Sequence, residues 1–119
     1  MKPEDWLSRA EMFLRAARRN LEAGDYAISC FDSQQAAELA LKALHICRFG
    51  SKPYTHNLVA LAEPFGLQHD FLLTLSLFYT LSRYPESESI SFSREMALRC
   101  VETASEVVEF VRKEMEGGC

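Results

Sequence analysis

The stretch Gln34-Gln35-Ala36-Ala37-Glu38-Leu39-Ala40-Leu41-Lys42-Ala43-Leu44 constrains this chain more than any other. It reads as part of a helix from about Tyr26 to Phe49 that is apolar around most of its circumference. At about 100° per residue, Gln35, Glu38, Lys42 and His45 fall within roughly 80° of one another, and nearly everything else is Ala, Leu, Ile or Cys. A surface helix would carry a broad wet face, and an ordinary core helix would carry no charges. Glu38 and Lys42 must therefore be paired, solvated in a cleft or held at an interface. A second segment, about Gln68 to Arg83, has the same character. Phe71, Leu72, Leu73, Leu75, Leu77, Phe78 and Leu81 cover it, with Ser76, Thr80 and Arg83 as its single polar strip.

Two further amphipathic helices complete the pattern. From about Asp5 to Ala23, Trp6, Leu7, Ala10, Phe13, Leu14, Ala17 and Leu21 share one arc, and Gly24 suits the left-handed residue that ends a helix. From about Phe92 to Met115, Ala97, Cys100, Val101, Ala104, Val107, Val108 and Val111 form an inner stripe against an acidic and basic outer face. Between the long segments, Thr55 or Asn57 is placed to cap a short helix over Leu58 to Glu63, ended by Pro64 and Gly66. Pro85 disfavours helix at Tyr84 and opens a loop through Glu86-Ser87-Glu88-Ser89. No strand signal competes. The expectation is an all-α, up-and-down four-helix bundle with one additional short helix, forming a single domain over residues 1–119. Burying the all-round apolar helices, Phe71 and Phe78 included, argues for a homodimer joined through the second and fourth helices, with a tightly wrapped monomer as the alternative.

Composition narrows the function classes. The 119 residues carry a net charge of −4, with 48% hydrophobic and 25% charged residues, which is globular and lacks the basic excess of a general nucleic-acid binder. Arg15, Arg18 and Arg19 read as solvated cations suited to a helix C-terminus, with a local basic patch as the alternative. The start of the chain does not resemble a signal peptide and no run is long enough to cross a membrane, so the cytoplasm is expected. Cys30, Cys47, Cys100 and Cys119 lack metal-ligand spacing. The first three read as small apolar residues inside helices, and Cys119 as an exposed tail thiol prone to oxidation. His45, His56 and His69 are scattered without a metal motif, so no metal or cofactor is expected.

Two constellations remain for chemistry. Glu38 and Lys42 stand in the favourable order for a helix ion pair; the pair either fixes packing or lets Glu38 steady Lys42 toward a phosphate. Arg83, at the C-terminal end of its helix, is either a cap or a two-pronged phosphate anchor with Tyr84 free to stack on a base. No catalytic residue is identified from spacing alone.

Taken in order, Gln34-Gln35-Ala36-Ala37-Glu38, Lys42-Ala43-Leu44, Thr55-His56-Asn57-Leu58 and Arg83-Tyr84-Pro85 resemble the HEPN family (higher eukaryotes and prokaryotes nucleotide-binding) from about Leu7 to Val111. The resemblance implies a helical bundle, usually homodimeric, often encoded beside a minimal nucleotidyltransferase. It implies a nucleotide ligand, with RNA as a further option, bound by Lys42, His56, Tyr79, Arg83 and Tyr84 and supported by Gln35, Glu38, Ser76 and Thr80. One branch of the family comprises metal-independent ribonucleases of toxin–antitoxin pairs, which place a histidine four to six residues after an arginine. Arg83 matches that arginine, but no histidine follows His69. The expected function is thus a non-catalytic nucleotide- or substrate-binding partner of a nucleotidyltransferase. The alternative is a ribonuclease in which His56 replaces the missing histidine.

Overall fold

The computed structural model describes residues 1–84 and 91–119. Helix α1 runs Pro3–Ala23, α2 Tyr26–Phe49, α3 Leu58–Ala62, α4 Leu72–Leu81 and α5 Arg94–Glu116, with a 3-10 turn at Glu63–Phe65. No strand occurs among the described residues. Each boundary has a local cause. Pro3 opens α1, where its missing N–H costs nothing, and Glu4 and Asp5 answer the helix dipole. Gly24 and Gly50 close α1 and α2 at φ 83° and 78°, values a side chain rarely tolerates. Asn57, one of the two expected caps, accepts from the N–H groups of Val59 and Ala60 at 2.9 and 3.2 Å. Ser93 accepts from Met96 N–H at 3.1 Å to start α5.

Helix α2 is the axis of the fold, packed against α1, α3, α4 and α5. Ala36, Ala37, Ala40 and Ala43 are fully buried along it, and such short side chains let the neighbours approach closely. Polar ties add to this: Ser29 Oγ donates to Ala17 O at 2.8 Å, and Asn20 Nδ2 to Asp32 Oδ2 at 2.8 Å. Cys30 and Cys100, both fully buried, bring their sulfurs to 2.9 Å where α2 meets α5. That contact and burial together push the Cys100 thiol up, so it stays protonated.

Three expectations need correction. Helix α4 is shorter than the 68–83 pattern suggests, because the His69 side chain accepts Phe71 N–H at 3.1 Å and Leu72 N–H bonds back to His69 O at 3.2 Å, a turn that displaces the first helical residues. Cys47 and Cys119 are not free thiols: they form a disulfide that ties the C-terminal tail to the end of α2. Phe71 and Phe78 need no second subunit, since both are buried within one chain, at 5% and 3% exposure, under the wrap of helices around α2. What α4 leaves outside is Leu73 and Leu77, 60% and 54% exposed. The expected acidic loop over Glu86–Ser89 lies outside the described residues.

Candidate functional site

The polar strip of α2 converges on one carboxylate. Glu38, 4% exposed, accepts from Gln34 Nε2 at 3.0 Å and from Lys42 Nζ at 2.9 Å. His56 Nδ1, arriving from the loop before α3, lies 3.0 Å from both carboxylate oxygens. Burial alone would raise the Glu38 pKa; the bonds from Gln34, Lys42 and His56, with the Lys42 charge, outweigh it and hold the carboxyl below its usual range. An ionised carboxylate only accepts, so Nδ1 carries the proton directed at Glu38 and Nε2 is the ring nitrogen left without a partner among the described residues. Nε2 makes no hydrogen bond among the described residues, and the side chain is 46% exposed.

The loop carrying His56 is pinned at several points. Thr55 Oγ1 accepts from Asn57 N–H at 3.0 Å, Leu58 N–H donates to Ser76 Oγ at 2.6 Å, and the His56 carbonyl lies 3.5 Å from Gln34 Nε2. The imidazole stacks on Tyr79 of α4, centroids 3.9 Å apart and planes 14° apart. Arg83 closes the arrangement. Its Nε donates to Tyr79 O at 2.8 Å, capping α4, while its guanidinium carbon lies 4.5 Å from the Tyr79 centroid, 5.4 Å from Phe31 and 5.8 Å from Tyr84. The terminal guanidinium nitrogens form no hydrogen bond among the described residues. Arg83 is thus a cap through Nε whose two terminal nitrogens have no partner among the described residues. A cleft of about 460 Å³ opens beside this stack between His56, Asn57 and the Leu73, Leu77 and Thr80 side of α4.

Each residue expected at the site has a definite place. His56, Tyr79, Arg83 and Tyr84 come together at the surface, Thr80 lines the cleft, and Ser76 secures the loop. Lys42 is internal, its amine bonded to Glu38 and the residue 4% exposed. Gln35 donates to Gln34 Oε1 at 2.8 Å, behind the carboxylate. His45 leaves the strip altogether: its Nε2 lies 2.9 Å from Leu61 O and its ring packs edge-on to Phe65. Gln34, quoted from the sequence only as part of a motif, is fully buried and contacts Glu38 directly. Its position four residues before Glu38 was the signal available. Among the described residues no group of three or more His, Cys, Asp and Glu could hold a metal ion.

The profile of the HEPN domain matches residues 3–114, nearly the whole chain. The chain belongs to the HEPN family. Two solved structures share its architecture. The protein TT1696 from Thermus thermophilus is 31% identical, with a TM-score of 0.79 over 93% of this chain and 96% of that one. ST0689, described as an archaeal HEPN homologue, is 27% identical, with a TM-score of 0.80 over 97% and 98%. Comparison with curated proteins gave no match. The HEPN assignment accounts for the helical wrap around α2, and no helix among the described residues is long and apolar enough to cross a membrane.

Proposed function

We propose that this HEPN domain binds a nucleotide at the Arg83–Tyr79–His56 surface without transforming it, as the substrate-binding partner of a minimal nucleotidyltransferase. The observation that carries the reading is Arg83, whose Nε is fixed by the helix end while its two terminal nitrogens, unpartnered among the described residues, form a fork of donors suited to a phosphate. Tyr79 is already covered by His56, so Tyr84, 48% exposed, is the ring left for a base. Lys42 serves as the counter-charge that keeps Glu38 ionised and His56 oriented. A homodimer formed over exposed Leu73 and Leu77 would set a second copy against the cleft that these residues line. A cytoplasmic setting suits such a partner, although a reducing interior opposes the Cys47–Cys119 bond. Calorimetric titration with ATP and GTP, alone and with the adjacent-gene product, tests the reading; absence of binding in both formats would defeat it.

The Glu38–His56 pair favours one second reading. A carboxylate on Nδ1–H leaves Nε2 as a base, the arrangement needed to take a proton from a 2′-hydroxyl while Arg83 steadies the phosphate. This is the ribonuclease alternative. Cleavage of structured RNA in EDTA, abolished by both His56→Ala and Arg83→Ala, would replace the first reading with this one.

A further inference from the structure

Next to the nucleotide surface lies a second aromatic station. Lys52 places its amine 4.9 Å from the centroid of Trp6 and 4.6 Å from that of Tyr54. A hollow of about 280 Å³ opens beside Trp6, lined by Asp5, Arg9 and Leu39. Tyr54 is 89% exposed, above every other exposed large apolar side chain among the described residues. A ring that served only to brace the loop would be buried by it. This one presents its surface to solvent with a cation alongside.

The two stations are neighbours in the chain. Tyr54 and His56 are separated by one residue, so their Cα atoms lie at most roughly 7 Å apart. Aromatic faces in succession, with lysine and arginine beside them, match how proteins track single strands by stacking successive bases. Asp5 partly offsets Arg9 and Lys52, and the chain as a whole is acidic. Affinity at this station must therefore come from stacking more than from phosphate contacts.

We propose that Trp6, Tyr54 and Lys52 form a base-stacking subsite adjoining the Arg83–His56 surface, so that the ligand of this chain is a short single-stranded oligonucleotide and not a lone mononucleotide. The subsite rests on the nucleotide-binding reading above and adds the ligand's length.

Trp6 is the single tryptophan, so its fluorescence reports the second station alone. Titration of the full chain with ATP and with an adenosine RNA tetramer should show the tetramer binding about tenfold tighter, although ATP carries more negative charge. Only the tetramer should quench Trp6. Tyr54→Ala, at an exposed position that does not threaten folding, should weaken tetramer binding by about tenfold and leave ATP binding unchanged. Raising the salt concentration should weaken the tetramer only modestly. Equal affinities for the two ligands without Trp6 quenching would overturn the subsite and leave the nucleotide reading standing. Absence of binding by either ligand would overturn both.

Discussion

Helix α2 has two faces of opposite design. Toward α5 it presents Cys30, Ala37 and Leu44, seven residues apart and fully buried, a seam continued by Cys47 in its disulfide. Toward α3 and α4 it presents Gln34, Glu38 and Lys42, equally buried but polar, each bonded to a partner. The first face gains from excluding water around small, close-packed groups. The second incurs a desolvation cost that its hydrogen bonds must offset. Nothing about shape requires the second arrangement, since an apolar helix would pack as well. What it adds is orientation: His56 is held by Nδ1, and through the Tyr79 stack the imidazole and Arg83 are fixed against one ring. One face makes the fold, and the other gives up stability for a surface with chemistry.

That contrast is open to direct attack. The largest effect is expected at the polar face, where Glu38→Ala leaves the Lys42 amine buried without its carboxylate and should cost about 3–5 kcal/mol in urea unfolding. The Glu38 pKa is depressed in the fold, so its contribution is complete above its ordinary value of 4.5 and is lost as pH falls through the lower folded value. The difference between wild type and variant should shrink over that acid range. Asp32 runs the other way, its pKa raised by burial, and disfavours the fold as it ionises. At the apolar face, Leu44→Ala should cost about 2–5 kcal/mol, with ligand affinity unchanged in the population that remains folded. A change in affinity without a change in stability would erase the distinction between the faces.

Opening the Cys47–Cys119 bond with dithiothreitol should cost about 2–4 kcal/mol, because it frees a 72-residue span in the unfolded chain. Thiol titration of the unreduced protein should find Cys30 and Cys100 unreactive until denaturant is added, since both are fully buried. Four reactive thiols in the native, unreduced state would contradict the seam.

Much of this was legible in the sequence. The apolar arcs located the four long helices, because a period near 3.6 survives any tertiary context, and glycines 24 and 50 marked the ends of the first two. Three things were not legible. A histidine side chain that takes a backbone N–H, as His69 does before α4, leaves no periodic trace. The polar strip was drawn by helical angle alone, which included His45 and passed over Gln34; which of those groups meets Glu38 is decided by the loop at Thr55–Leu58, where His56 lies 18 residues further on. The disulfide was hidden for a similar reason, its partners being 72 residues apart and brought together only by the α2–α5 pairing.

Arg83 carries the central claim, and Arg83→Lys tests it on a single protein. The variant keeps the positive charge at the end of α4 but loses the Nε cap and the planar fork of terminal nitrogens. Nucleotide affinity by calorimetry should fall by about 1.5–3 kcal/mol, or roughly ten- to a hundredfold, while the melting temperature of the same sample falls only by the few degrees that loss of the Nε cap on Tyr79 O accounts for. An unchanged affinity with a lowered melting temperature would make Arg83 a helix cap and nothing more, and would remove the proposed site.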